Sequence, residues 1–160
     1  MKLCEADVLK LLAEDFQMSA RVIAQGEEVV PRFRIFTSEG EFLILVQMLD
    51  DPADRERRMR LVAGFMAWKM ATSFVVSGET ITPDAVFSVY VTRDIAFGQM
   101  RLVDRRSKTL GRGTALLDHD CDPAYHLMLP AGQSSMDPAM MEELERVFGD
   151  AGEMEATRLH

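Results

Sequence analysis

Apolar residues recur at steps of three and four through the first segment: Leu9, Leu12, Phe16, Ala20 and Ile23, widened by Val8 and Leu11. That period places them on one side of a helix over about Glu5–Ala24, with Gly26 available as its C-terminal cap. The period then changes to two. Phe33 and Ile35 alternate with Arg32 and Arg34, the pattern of a half-exposed strand, and Ser38-Glu39-Gly40 supplies a turn into "FLILVQML". This second strand is apolar on both faces, which predicts a more central place in a sheet than its partner has.

A second helix opens with Asp51 as N-cap, Pro52 in its first turn and Asp54 near its positive end. Leu61, Phe65, Trp68 and Thr72 mark one side of it, and Val62, Met66 and Met70 a neighbouring one. So broad an apolar surface predicts a largely buried helix. Phe74, Val75 and Val76 can continue it or begin a strand, with the helix favoured to about Ser77. "SGETITPD" reads as a loop and "AVFSVYVT" as an alternating strand. Over 93–103 two readings stand. Thr92 can cap a helix with Ile95, Gln99 and Leu102 on one side, although Gly98 weakens it, or a strand would put Ile95, Phe97, Gln99 and Arg101 on one face. The cap after a strand favours the helix. "RSKTLGRG" reads as a basic loop, and "TALLDHD" and "AYHLMLP" as short strands around Asp122-Pro123. A last helix starts at Asp137-Pro138 and ends at Gly149, and "GEMEATRL" alternates as a final edge strand.

Strands come in adjacent groups between helices. The expected fold is therefore α+β: a single domain, 1–160, with a mainly antiparallel sheet packed by three or four helices. In element order alone the chain resembles small regulatory folds in which a central sheet carries helices on one or both faces, and the small acidic chaperones of bacterial secretion systems. No residue motif supports either family.

Composition narrows the setting. With 160 residues, 48% of them hydrophobic, the chain can build a core without staples. Cys4 and Cys121 are its two cysteines, which predicts a reducing, cytoplasmic setting. The acidic N-terminal segment is no signal peptide, and no apolar run approaches the ~20 residues of a membrane-spanning helix. The net charge of −8 disfavours a general nucleic-acid or anionic-membrane binder.

Candidate chemistry concentrates in "TALLDHDCDPAYH". In a strand, Asp118, Asp120 and Asp122 face one way and His119 and Cys121 the other, so the five cannot converge on one ion. A hairpin could add His126 opposite Cys121 or Asp120, still short of the four ligands of structural zinc. An acidic turn built on Asp-Pro needs less. The enzyme reading, acid/base or metal-dependent, would use His119, Asp120, Cys121 and His126 within Asp118–His126. Nucleophile elbows, phosphate loops and dinucleotide fingerprints do not occur.

Charge layout is more informative. Residues 93–112 carry a local charge of +4 and residues 118–160 a local charge of −8. Arg105, Arg106, Lys108 and Arg112 are candidates for an anionic partner, either a phosphate group or nucleic acid. Arg55, Arg57, Arg58 and Arg60 lie among Asp50, Asp51, Asp54 and Glu56 and read as an ion-paired helix start. On the last helix, Met140, Met141, Leu144, Val147 and Phe148 form an apolar stripe, either core or a face for a partner or second subunit. The leading reading is a small cytoplasmic, non-catalytic protein-binding or regulatory module, open to homodimer formation and needing no cofactor or metal. The enzyme and the phosphate or nucleic-acid binder are its alternatives.

Overall fold

The computed structural model describes residues 3–47, 51–116 and 136–159. Helix α1 spans Glu5–Ala24 and ends as its glycine requires. Gly26 takes a φ of 74°, its N–H bonds Ile23 O, and the Glu27 N–H bonds Val22 O. Strands β1 (Arg32–Thr37) and β2 (Gly40–Leu45) form the expected hairpin. Gly40 takes a φ of 126° at its turn, where a side chain would be strained.

Helix α2 covers Pro52–Trp68, with Asp51 accepting the Ala53 N–H at 2.9 Å. It stops well before Ser77. Met70 adopts a φ of 50°, the Met70 N–H bonds Ala67 O and the Ala71 N–H bonds Met66 O. This is the same two-bond terminator as in α1, with a methionine at the left-handed position that glycine normally fills. Residues Ser73–Thr80 then form strand β3, so the predicted loop shrinks to the few residues before β4 (Ala85–Thr92).

Of the two readings of 93–103 the strand holds, not the favoured helix: Ala96–Asp104 is strand β5. Thr92 does cap, but it caps a hairpin: its Oγ1 accepts the Asp94 and Ile95 N–H groups at 3.3 and 3.1 Å. Gly98 sits in β5 because there is no space for more. A Cβ there would lie 2.8 Å from Val89 and 2.9 Å from Leu116. The basic "loop" is a turn over residues 105–108 followed by strand β6, Thr109–Ala115. Helix α3 is Pro138–Val147, capped by Asp137, and the edge strand β7 is Ala156–Leu159.

The fold is α+β. One seven-stranded sheet runs in the order β6-β5-β4-β3-β1-β2-β7, every neighbouring pair antiparallel. Three helices lie among the described residues, where three or four are expected. β1 sits between β2 and β3, so it is the more central strand of the first hairpin and β2 the more peripheral, the reverse of the expectation. No described helix is long and apolar enough to cross a membrane.

Two cores lie on opposite faces. On one, α2 and α3 pack on Phe33, Ile35, Phe42, Ile44, Phe74, Val76, Val89 and Val91. Phe65 joins them, with ring centroids 5.3 Å from Phe42 and 4.9 Å from Phe148. Such aromatic pairs add about 0.5–1.5 kcal/mol each beyond area burial. The α2 and α3 helices meet over Gly64, whose missing side chain leaves room for Leu144 and Met140. Arg57 and Arg58 ion-pair with Glu153, and Arg57 also with Glu143. The basic helix start is thus paired with distant carboxylates in and after α3. On the other face α1 packs Val8, Leu12, Phe16 and Ile23 on Val75, Val86 and Tyr90.

Candidate functional site

The four predicted anion-binding cations behave differently from one another. Arg105 is already engaged: it donates to Asp84 at 2.9 and 2.8 Å and to Glu79 at 3.0 Å. Those hydrogen bonds raise the arginine further above its ordinary value and hold Asp84 below the usual carboxylate range. The pairing ties the β5–β6 turn to the β3–β4 end of the sheet. Arg106, Lys108 and Arg112 are exposed and make no ion pair among the described residues. The local charge excess is therefore smaller than the sequence suggests, because Arg105 is paired with residues more than twenty positions away.

The predicted partner-binding stripe of the last helix faces the chain's own core. Leu144 and Val147 are buried, Met140 and Phe148 pack against them, and Met141 is half-buried. Its apolar residues cover α2 and the sheet. The segment Asp118–His126, with His119, Asp120, Cys121 and His126, lies outside the described residues. Among the described residues no group of three or more His, Cys, Asp or Glu side chains could hold a metal ion.

Two features were not foreseen. The first is a buried polar cluster beneath α1. Asp15 and Arg32 pair at 3.0 Å with side chains 1% and 6% exposed. Ser88 donates to Asp15 Oδ2 at 2.9 Å and Ser77 donates to the same oxygen. Arg32 Nη2 also donates to the Asp15 carbonyl and to Ser19 Oγ, each at 3.0 Å. The alternation that marks Arg32 as half-exposed is real, but its polar side is covered by a helix that brings its own carboxylate. Every partner sits inside the protein, so this cluster orients α1 on the sheet instead of meeting a substrate.

The second feature lies beside it. Strand β2 is apolar on both faces, but among the described residues only one face is fully covered. Phe42 and Ile44 are buried against α2 and α3. Leu43 and Leu45 stand opposite Arg34 and Arg32 and so share the α1 side. There Leu43 is half-buried and Leu45 is 55% exposed. Phe36 and Leu159, which flank Glu41 on the same side, are half-buried too. α1 lies mainly over β4, β5 and β6 and meets this strip at its near border, where Phe36 packs against the α1 core. Between the two, Leu3, Asp7, Lys10, Leu11 and Glu14 of the α1 region and Phe36 of β1 line an open pocket of about 330 Å³. Buried Arg34 lies next to it, held by Glu41 and 3.8 Å from Glu14, with its Nη1 unpartnered among the described residues. At the pocket's end Cys4 donates from Sγ and from its N–H to Asp7, holding that carboxyl below its ordinary value.

The chain matches no family model, no curated protein and no solved structure. Its function has to be read from its own surfaces. The sequence carried one signal for the open strip: a strand apolar on both sides is either central in its sheet or half of an interface.

Proposed function

We propose that the protein is a non-catalytic protein-binding module, and that its contact surface is the open strip of β2 and β7 with Phe36, on the α1 side of the sheet. The observation that carries this reading is Leu45, 55% exposed on a strand whose pattern is that of a strand buried on both faces. Leu43, Phe36 and Leu159 extend the patch, so Leu45 is not an isolated surface residue. Burying an aliphatic or aromatic side chain completely is worth about 1.5–3 kcal/mol. Four partly exposed ones can contribute several kcal/mol to a complex. The sparse cysteines, with Cys4 exposed, support a reducing compartment for that encounter.

The test is a photo-crosslinking residue placed at Leu45 or Leu43 in cells producing the full chain. The control is the same residue at Ile81, which is 92% exposed but lies away from the strip. A discrete protein adduct at the strip positions, absent at Ile81, is expected. No adduct at either strip position rejects the contact surface.

A further inference from the structure

The strip has room for one secondary-structure element. Strands β1 and β2 are six residues each, a run of about 20 Å at ~3.3 Å per residue. From the β1 axis to the β7 axis there are two inter-strand spacings, about 10 Å. An α-helix with its side chains is ~10–12 Å across, and about thirteen of its residues span 20 Å. Two helices cover the opposite face of this sheet, whereas α1 is the one described helix on this face. A second helix laid beside α1 would complete the layer, and the pocket between Leu3, Leu11 and Phe36 would take one of its apolar side chains.

The rim decides what that helix carries. Asp7 and Glu14 project from α1, Glu41 lies on β2, and Glu155 accepts from Thr157 Oγ1, which stands opposite Leu43, so all four border the strip. Against these four carboxylates stand Lys10, which lines the pocket, and Arg34, which pairs with Glu41 and Glu14, so the rim keeps a net charge of −2. A second copy of this chain would bring the same carboxylates to face themselves across a two-fold axis, between molecules of net charge −8. Resting on the protein-binding reading, we infer that the occupant is an amphipathic helix of a different protein, apolar along one side and flanked by Lys or Arg.

The probes are two synthetic helices with the same leucine stripe, one flanked by Lys and Arg and the other by Glu. Each is titrated against the full chain by fluorescence anisotropy at low and physiological salt. The basic helix binds, and the Glu-flanked one does not. Leu45→Lys weakens the basic helix by about tenfold or more, and Glu155→Lys by about threefold at low salt. Ile81→Lys changes nothing. All of these positions are exposed, so the variants keep the wild-type thermal midpoint and the comparison stays clean. Equal binding of the Glu-flanked helix, no binding of the basic one, or binding indifferent to Leu45→Lys overturns the assignment. So does a wild-type dimer in light scattering that Leu45→Lys dissociates. In that case the strip remains a contact surface and only its occupant changes, whereas failed crosslinking at Leu45 and Leu43 removes the surface itself.

Discussion

Replacing Asp15 by Ala tests what holds α1 on the sheet. The substitution removes the carboxylate of a pair whose side chains are 1% and 6% exposed, and leaves the hydroxyls of Ser77 and Ser88 without their shared acceptor. Removing one partner of a buried ion pair costs about 3–5 kcal/mol, because the other charge stays buried. Here Arg32 keeps the residue-15 carbonyl and Ser19 Oγ as acceptors, each at 3.0 Å, which favours the lower end, about 3 kcal/mol. A domain is typically stable by about 5–15 kcal/mol, so the loss is a large fraction of the total. At about 2–4 °C per kcal/mol for a chain of this size, the thermal midpoint falls by about 6–12 °C. Urea unfolding followed by circular dichroism measures the free energy directly. Adding Arg32→Met to Asp15→Ala removes the stranded cation, so the double variant is more stable than the two single losses added together. A loss below about 1 kcal/mol for Asp15→Ala, or strict additivity in the cycle, would refute the pinning role.

Other consequences follow from particular residues. Met70→Gly places the favoured residue at a φ of 50° and raises stability by about 0.5–1 kcal/mol, seen as a higher urea midpoint; a lower midpoint contradicts the terminator geometry. Gly98→Ala forces a Cβ to within 2.8 Å of Val89 and 2.9 Å of Leu116 and destabilises by about 1–3 kcal/mol; a neutral result in the same assay means the two strands have slack there. Asp84 titrates below an ordinary aspartate because Arg105 hydrogen-bonds its charged form. Its contribution to stability is therefore present above the unfolded-state value and disappears as pH falls through the lower folded one. Nuclear magnetic resonance titration shows the Asp84 midpoint rising in Arg105→Gln, and an unmoved midpoint contradicts the pairing.

Local rules decided some of the molecule. α1 was legible end to end, because its apolar period and Gly26 agree on where it starts and stops. Asp51-Pro52 and Asp137-Pro138 marked two helix starts by capping chemistry that acts within one turn. The basic candidates and the last helix's stripe were visible as residue types, but not where their partners lay. Arg105 is engaged by residues of another hairpin, and Leu144 and Val147 close over α2.

What the chain could not announce locally depends on contacts between distant segments. Met70 looks like a continuing helix residue, and only its left-handed backbone, with Ala71 packed in the core, turns the chain into β3. Residues 96–104 satisfy a helical reading of Ile95, Gln99 and Leu102, yet pairing with β4 fixes them as strand. Arg32 reads as exposed until Asp15, seventeen residues earlier, is brought over it. The open strip is the same kind of fact. The sequence made β2 apolar on both faces, but how far α1 extends over the face that α2 and α3 leave is decided by where the Asp15 cluster pins that helix. Hydrophobic periodicity specifies which side of an element seeks cover; only the assembled layers determine which side goes without.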